Sequence, residues 1–163
     1  MEISIQPLNN FYAGQVSDLI LDIQQKEFNI SISLQDQPDL LAIEDFYMTR
    51  GGNFWGVFVN GELAGTIALI KFNANSGAIR KMFVKKQFRG KELHLAQRLL
   101  DNLITYCQRV GIENLLLGTV PVLKAAQRFY ERNHFEQIEK SQLPQDFPLM
   151  HTDRIFYSRK IKK

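Results

Sequence analysis

Several cationic side chains surround one glycine where an apolar run gives way to a long amphipathic segment. The run ends at Val84, and the stretch after it carries basic residues on both sides of Gly90, namely Lys85, Lys86, Arg89 and Lys91. The first N–H groups of a helix have no intrahelical partner and lie at the positive end of the helix dipole. Gly90 lacks a Cβ, so the backbone can approach a ligand closely. The junction therefore predicts a site for a phosphate or a diphosphate.

An ordinary basic loop that leads into a helix is the competing interpretation of these residues, because short motifs often occur without their function. The loop lacks the Gly-x4-Gly-Lys-Ser/Thr spacing of ATP-binding loops. It also lacks the three-glycine pattern of dinucleotide-binding folds. ATP and NAD are therefore poor candidates for the anion.

The overall charge and composition narrow the classes of protein further. The 163 residues carry a formal net charge of +3, which permits an anionic ligand without requiring a nucleic acid. The basic residues are divided between the loop near Gly90 and the C-terminal "SRKIKK". Solvated surface charge explains them more simply than nucleic-acid binding, so we expect no nucleic-acid partner.

Metal binding and membrane insertion are not expected either. The chain has three histidines and one cysteine, and these do not form a recognisable metal-binding cluster. The N-terminus "MEISIQPLNN" lacks the basic region and apolar core of a signal peptide. No apolar run approaches the ~18 residues that a membrane span needs. The sequence thus predicts a cytoplasmic protein with no metal and no membrane partner.

The order of predicted elements indicates one domain over residues 1–163 with a mixed sheet. A first strand precedes a helix with possible capping by Asn10, an irregular connection over 29–37, and a shorter helix over 38–48. Asn60-Gly61 predicts a hairpin between two apolar runs, and a third strand follows. A helix over 93–110, a buried strand, a helix over 123–133 and two closing strands complete the chain. We expect an α/β (α+β) fold with about seven strands and four helices.

Two segments resemble signatures of the GNAT superfamily of N-acetyltransferases. "MFVKKQFRGKELHLAQRLL" is similar to the acetyl-CoA-binding segment, in which a strand, an Arg-Gly-x-Gly-x-Gly/Ala loop and a long helix follow one another. "AAQRFYERNHF" is similar to a second signature of the family, Ala-x-x-x-Tyr-Glu-Lys-x-Gly-Phe. The order of elements agrees over nearly the whole chain. The resemblance therefore implies a GNAT-like fold.

The resemblance implies two groups of residues that bind acetyl-CoA. Main-chain groups of one strand would hold the pantetheine as an added strand: Met82, Phe83 and Val84. The following loop would bind the diphosphate: Arg89, Gly90, Lys91, Glu92, Leu93 and His94. Glu92 and His94 stand where the family usually has small residues, so they put the affinity for CoA in question. His134 stands at a usual glycine, where a left-handed helix cap is expected.

The resemblance implies one catalytic residue but leaves the general base open. Tyr130 matches the tyrosine that commonly protonates the leaving thiolate, although simple packing is the alternative role. Many relatives have a glutamate where this chain has Ala78. Four residues lie on segments that could border the acceptor site, without a motif behind any of them: Glu44, Asp45, His151 and Asp153. No general base is assigned, and a backbone N–H near Phe83 or Val84 would stabilise the oxyanion.

The implied reaction is direct attack by a primary amine on acetyl-CoA within a ternary complex. The amine could belong to a small molecule, an amino acid or a peptide. A non-catalytic acyl-CoA-binding regulatory module is the alternative function, favoured by Ala78, Glu92 and His94. The apolar loop over 141–153 is expected either to wall the acceptor pocket or to form a homodimer contact.

Overall fold

The computed structural model describes residues 1–90 and 92–162, and its strands form a seven-stranded mixed sheet. The strands are β1 (Ile3–Pro7), β2 (Asn53–Val59), β3 (Glu62–Asn73), β4 (Ser76–Val84), β5 (Asn114–Thr119), β6 (Glu136–Ile138) and β7 (Ile155–Lys160). Their order across the sheet is β1-β2-β3-β4-β5-β7-β6. The β4–β5 pair is parallel, and the other neighbouring pairs are antiparallel. The predicted mixed sheet is confirmed.

The β2–β3 hairpin turns at Asn60-Gly61, as the sequence predicts. Both residues have positive φ, 49° at Asn60 and 83° at Gly61. A tight primed turn requires this conformation at both central positions, and asparagine and glycine adopt it at low cost. The turn places Val59 opposite Glu62, and a bulge between Val57 and Phe58 then shifts the register of the two strands.

Three α-helices flank the sheet: α1 (Ala13–Leu21), α2 (Leu95–Val110) and α3 (Lys124–Arg132). Helix α1 continues as π-helical turns over Asp22–Glu27. Helix α2 starts two residues later than the predicted Leu93, because His94 has the left-handed φ of 51°. Gly111 ends α2 with a φ of 82°, as predicted. None of the described helices combines the length and apolar character that crossing a bilayer requires.

The predicted helix over 38–48 is instead two short helical segments, and this corrects the sequence interpretation. A 3-10 turn spans Pro38–Leu41, and π-helical turns span Glu44–Met48. Ala42, with φ −141° and ψ 53°, interrupts them. The Tyr47 hydroxyl donates a 2.5 Å hydrogen bond to Asp39 across this break. The interruption of the helix at Ala42 thus accompanies a buried hydrogen bond, and the spacing of apolar residues alone does not predict it.

The sheet has a hydrophobic core on each face, and the two cores belong to different helices. Buried Leu99, Leu103 and Cys107 of α2 and Phe129 of α3 pack on one face. Helix α1 and the segment over 38–48 pack on the other face. Cys107 is a buried packing residue, as expected, and burial raises the pKa of its thiol to about 12.

Candidate functional site

Strands β4 and β5 separate part-way along their length. They are paired only where Ser76–Ala78 lies beside Asn114–Leu116. From Ile79 onward, the edge of β4 faces an opening instead of β5. Unpaired main-chain groups on a strand edge can bind an extended ligand by strand addition. The predicted pantetheine-binding residues Met82, Phe83 and Val84 belong to this separated part of β4.

A cleft occupies the opening between the separated strands. Its volume is about 90 Å³, and it is open to solvent. Its walls come from β4, from the end of β5, from α3 and from the loop before β7, and they include Arg80, Lys81, Met82, Gly118, Tyr130 and Asp153. Met82 and Tyr130, assigned by resemblance to donor binding and catalysis, therefore share one cleft.

The start of α2 has the backbone features of an anion site. Gly90 has a φ of 128° and His94 a φ of 51°, and both are positive values that glycine adopts most readily. His94 precedes the first helical residue, and no side chain caps the helix there. The N–H groups of the first turn therefore remain available to a ligand. Glu92 and His94 are exposed, and Lys91 lies outside the described residues.

The backbone conformation explains why the family pattern favours small residues at the position of His94. A left-handed φ costs most residues about 1 kcal/mol or more, and glycine adopts it freely. Histidine is among the non-glycine residues that tolerate it best. His134, after α3, has a φ of 69°, which confirms the predicted left-handed cap. His94 and His134, which differ from the family pattern, therefore keep a backbone conformation that glycine would adopt freely.

The Arg89 guanidinium is held by a carboxylate that sequence reasoning missed. Its Nη1 and Nη2 atoms donate to Glu27 at 2.5 and 2.7 Å, and its Nε donates to the Val84 carbonyl at 2.8 Å. The hydrogen bond from Arg89 lowers the pKa of Glu27. Arg89 would have to exchange Glu27 for a diphosphate in order to bind it. No motif links residues 62 positions apart, so this pair could not be read from the sequence.

Tyr130 is buried at the wall of the cleft, with 5% of its surface exposed. Its hydroxyl donates to the Met82 sulfur at 3.6 Å, so the phenol points at the separated edge of β4. Phe135 and Tyr157 pack against its ring at 5.5 and 6.1 Å between centroids. Burial raises the pKa of Tyr130 well above its usual range. The phenol therefore carries its proton at neutral pH.

The residues considered as a general base differ in whether they line the cleft. Asp153 lines the cleft, and burial raises the pKa of its carboxyl group. Glu44 instead accepts the Asn10 N–H at 2.9 Å. Asp45 and His151 are exposed and are not among the residues that line the cleft. Ala78, in the position of the family glutamate, is fully buried in the core.

Sequence reasoning also missed a buried polar network beside the cleft. The Lys81 ammonium donates to Gln37 and lies 3.7 Å from Asp39, and 3% of its side chain is exposed. Burial lowers the pKa of Lys81 to about 8. Tyr47 belongs to the buried core together with Phe54 and Trp55. Among residues 1–90 and 92–162, no group of His, Cys, Asp or Glu is arranged to hold a metal ion.

Substitutions at Gly90 and Gly14 provide a matched test of the anion site at the start of α2. An added Cβ would meet no atom within 4 Å at either site, but only Gly90 has a positive φ. We expect Gly90→Ala to weaken CoA binding about tenfold. Alanine is strained by about 1–3 kcal/mol at this positive φ, and the loop would have to adopt that strained conformation in order to bind CoA. Gly14→Ala, within α1, should leave CoA binding unchanged and stabilise the fold by up to about 1 kcal/mol. Calorimetric titration measures the CoA affinity of the two variants, and urea unfolding measures their stability. Equal CoA affinities would contradict an anion site at Gly90.

Comparisons with known proteins agree with this architecture. The model of the Acetyltransferase (GNAT) family matches residues 18–135, which include the junction and α3. No curated protein resembles the chain closely enough in sequence to count as a match.

Solved structures give the same result over the full length. An acetyltransferase of the GNAT family from Staphylococcus aureus Mu50 is 40% identical, with 99% of this chain and 100% of that chain covered and a TM-score of 0.95. An acetyltransferase from Streptococcus agalactiae 2603 is 26% identical, with 97% and 98% covered and a TM-score of 0.91. PaiA N-acetyltransferase from Thermoplasma acidophilum, solved with coenzyme A, shares the fold at 17% identity, with 98% and 99% covered and a TM-score of 0.73.

Proposed function

Because the chain belongs to the GNAT acetyltransferase family, we propose that it transfers an acetyl group from acetyl-CoA to a primary amine. The amine belongs to a small molecule, an amino acid or a peptide. The observation that carries the proposal is the shared location of Tyr130 and the separated edge of β4 in one cleft. PaiA, a structural neighbour, was solved with coenzyme A, which supports the same donor here.

The donor would bind along β4 and at the start of α2. Main-chain groups of Met82, Phe83 and Val84 would pair with the extended pantetheine. The first N–H groups of α2 would receive the diphosphate, with Gly90 giving it close access to the backbone. The proposed contacts of the loop are Arg89, Gly90, Lys91, Glu92, Leu93 and His94. The available helix N–H groups and the open glycine fit a diphosphate chemically.

Acetyl-CoA supplies the thioester carbonyl that the amine attacks. A backbone N–H near Phe83 or Val84 would stabilise the negative charge that develops on the carbonyl oxygen. Tyr130 would donate its phenolic proton to the departing sulfur. Its present hydrogen-bond acceptor is already a sulfur atom, that of Met82. Because this bond is a weak one, exchanging it for a thiolate would cost little.

A CoA-release assay with acetyl-CoA and a panel of amines tests this function. We expect release above the rate without amine for at least one acceptor, together with an acetylated product of matching mass. Calorimetry with CoA, run in parallel, should show saturable binding. CoA binding without acetylation of any amine would contradict the enzyme.

A non-catalytic acyl-CoA-binding regulatory module is the second candidate. Ala78 in place of the family glutamate and the engagement of Arg89 by Glu27 are the features that favour it. Tight CoA binding without turnover across the panel would support the module. We propose the enzyme first, because Asp153 provides a carboxylate in the cleft despite Ala78.

The proposal also covers the extent of the domain, its location in the cell and its partners. We propose a single domain over residues 1–163 that acts in the cytoplasm without a metal, a nucleic acid or a membrane partner. The loop over 141–153 contributes Met150 and Asp153 to the cleft, which favours its role as a pocket wall over a homodimer contact. A mass measurement in solution, such as light scattering, would reveal a homodimer directly.

A further inference from the structure

A bulge in β4 directs two consecutive cations to the same face of the sheet. Along the β3–β4 ladder, Thr66 is opposite Phe83 and Ala68 is opposite Arg80, so β4 holds one extra residue between them. Lys81 lies in the bulge with a φ of 55°, and its carbonyl accepts a 2.7 Å hydrogen bond from the Thr66 hydroxyl. In a regular strand Arg80 and Lys81 would point to opposite faces. Here the bulge turns Lys81 to the face that carries Gln37 and Asp39, and Arg80 and Lys81 both line the cleft.

Lys81 already has its polar partners within the protein. Its ammonium contacts Gln37 and lies 3.7 Å from the Asp39 carboxylate. Asp39 in turn accepts a hydrogen bond from the Tyr47 hydroxyl at 2.5 Å. Asp39 therefore offsets part of the positive charge of Lys81 before any ligand arrives.

Arg80 has no such partner among the described residues. The ion pairs found there are Lys26–Asp22, Lys81–Asp39, Lys85–Glu62 and Arg89–Glu27. The buried Nε atom of Arg80 also has no hydrogen-bond acceptor in the described part of the chain. A buried, unsatisfied donor on a charged group is costly, and an anionic ligand would remove that cost.

A carboxylate that is not paired with Arg80 lines the same cleft. Asp153 packs against β5, where an added Cβ on Gly118 would lie 2.6 Å from its Oδ2 atom. That oxygen accepts the Met150 N–H at 3.0 Å. Burial raises the pKa of Asp153, while the positive charges of Arg80 and Lys81 act in the opposite direction. The cleft thus presents a guanidinium and a carboxylate that do not form an ion pair with each other.

We propose that the acceptor is an amino acid or another amine that carries a carboxylate, with its carboxylate on Arg80 and its ammonium group at Asp153. This proposal rests on the acetyltransferase function proposed above. A diamine would bring a second positive charge towards Arg80 and Lys81 without a free carboxylate to meet it. A carboxylic acid without an amine would leave Asp153 unpaired. A zwitterion satisfies both groups at once.

The same arrangement supplies the proton transfers of the reaction. The acceptor ammonium gives one proton to the Asp153 carboxylate and becomes the free amine. The amine nitrogen forms its bond to the carbonyl carbon and releases its second proton to solvent, and the bond from that carbon to sulfur breaks. The sulfur takes the proton of Tyr130, which lines the same cleft. Solvent then removes the proton from Asp153 and restores the one on Tyr130.

Amino acids compared with their own carboxamides test the role of Arg80. Each carboxamide keeps the amine and side chain but lacks the negative charge. We expect kcat/KM for the preferred amino acid to exceed that for its amide by about 10-fold to 100-fold, as for a charge-assisted bidentate contact. Arg80→Met should abolish most of this preference. Arg132→Met, which removes an exposed arginine of α3, should keep the preference.

Several results would overturn the proposal. They are an equal preference for acid and amide in the wild type, an undiminished preference in Arg80→Met, or a better rate with diamines. Arg80→Lys keeps a charge but loses the bidentate geometry, so it replaces Arg80→Met if that variant does not fold. Asp153→Asn should lower the rate with acid and amide alike.

A binding measurement separates this proposal from the proposed function. Calorimetry of the CoA-loaded protein with an amino acid and its amide reports the role of Arg80 without turnover. Preferential binding of the amino acid without acetylation would support the Arg80 site and contradict the enzyme. Acetylation of amines without any preference for a carboxylate would support the enzyme and overturn the Arg80 site.

Discussion

Tyr130→Phe is expected to lower kcat by about 100-fold, the lower end of the range for a lost general acid. The substitution removes one hydroxyl, which donates to the Met82 sulfur at 3.6 Å. Ring packing with Phe135 and Tyr157 remains, so the fold and the affinity for acetyl-CoA should change little. Steady-state kinetics with saturating acceptor measure the effect. The loss should appear in kcat, with KM for acetyl-CoA within about threefold, because the proton moves only as the thiolate leaves.

Tyr157→Phe is the matched control for this experiment. Tyr157 belongs to the same core cluster, but its hydroxyl donates to Glu131 at 2.8 Å and it does not line the cleft. We expect kcat to stay within about twofold of the wild type, because no group in direct contact with the substrates changes. Full activity of Tyr130→Phe, or equal losses in both variants, would remove Tyr130 from the role of acid.

Lys81 is expected to make the stability of the protein rise with pH between about pH 8 and 10.5. Burial lowers the pKa of this lysine from 10.5 to about 8 in the folded state. Between these values the unfolded chain binds more protons than the folded one, so the free energy of unfolding increases with pH. Below pH 8 both states carry the proton, and the cost of the buried charge is fully present. The difference between the two pKa values corresponds to about 3 kcal/mol in the free energy of unfolding.

The contribution of Lys81 is isolated by comparison with Lys81→Gln, because tyrosines and Cys107 titrate in the same range. The amide retains a donor for Gln37 and Asp39. Urea unfolding of both proteins at pH 7.5 to 10.5 should show the wild type gaining about 3 kcal/mol relative to the variant. Lys26→Gln changes a lysine whose side chain is 82% exposed and should show no such trend. A constant difference between wild type and Lys81→Gln would mean that Lys81 is not held in a medium of low polarity.

Local patterns in the sequence were sufficient for most of the fold. Asn60-Gly61 predicts its hairpin because few other residue pairs accept two positive φ values. The apolar period of α2 and Gly111 after it predict the helix and its end correctly. His134 was predicted to cap α3 in the left-handed conformation, and it does so. In each case the determining interactions lie within a few residues of one another.

The features that escaped prediction depend on residues far apart in the chain. The bulge at Lys81 turns one side chain to the opposite face, and strand periodicity gives no sign of it. Glu27 lies in the π-helical turns that follow α1, and Gln37 and Asp39 lie at the start of the short helical segments after it. Arg89 and Lys81 therefore meet these partners only through tertiary packing. The break at Ala42 accompanies the same buried network. Tertiary contacts thus determined the charges around the cleft, and the sequence alone could not.

Binding of CoA at the start of α2 is the central claim, and an amide NMR titration tests it most directly. Protein labelled with ¹⁵N would be titrated with CoA, and with AMP as a control ligand that lacks the diphosphate and the pantetheine. The account predicts large, saturable shifts for the amides of Gly90, Glu92 and His94 and for the first turn of α2 with CoA, and much smaller ones with AMP. CoA binding that leaves these amides unchanged, or no binding at millimolar CoA, would contradict the account.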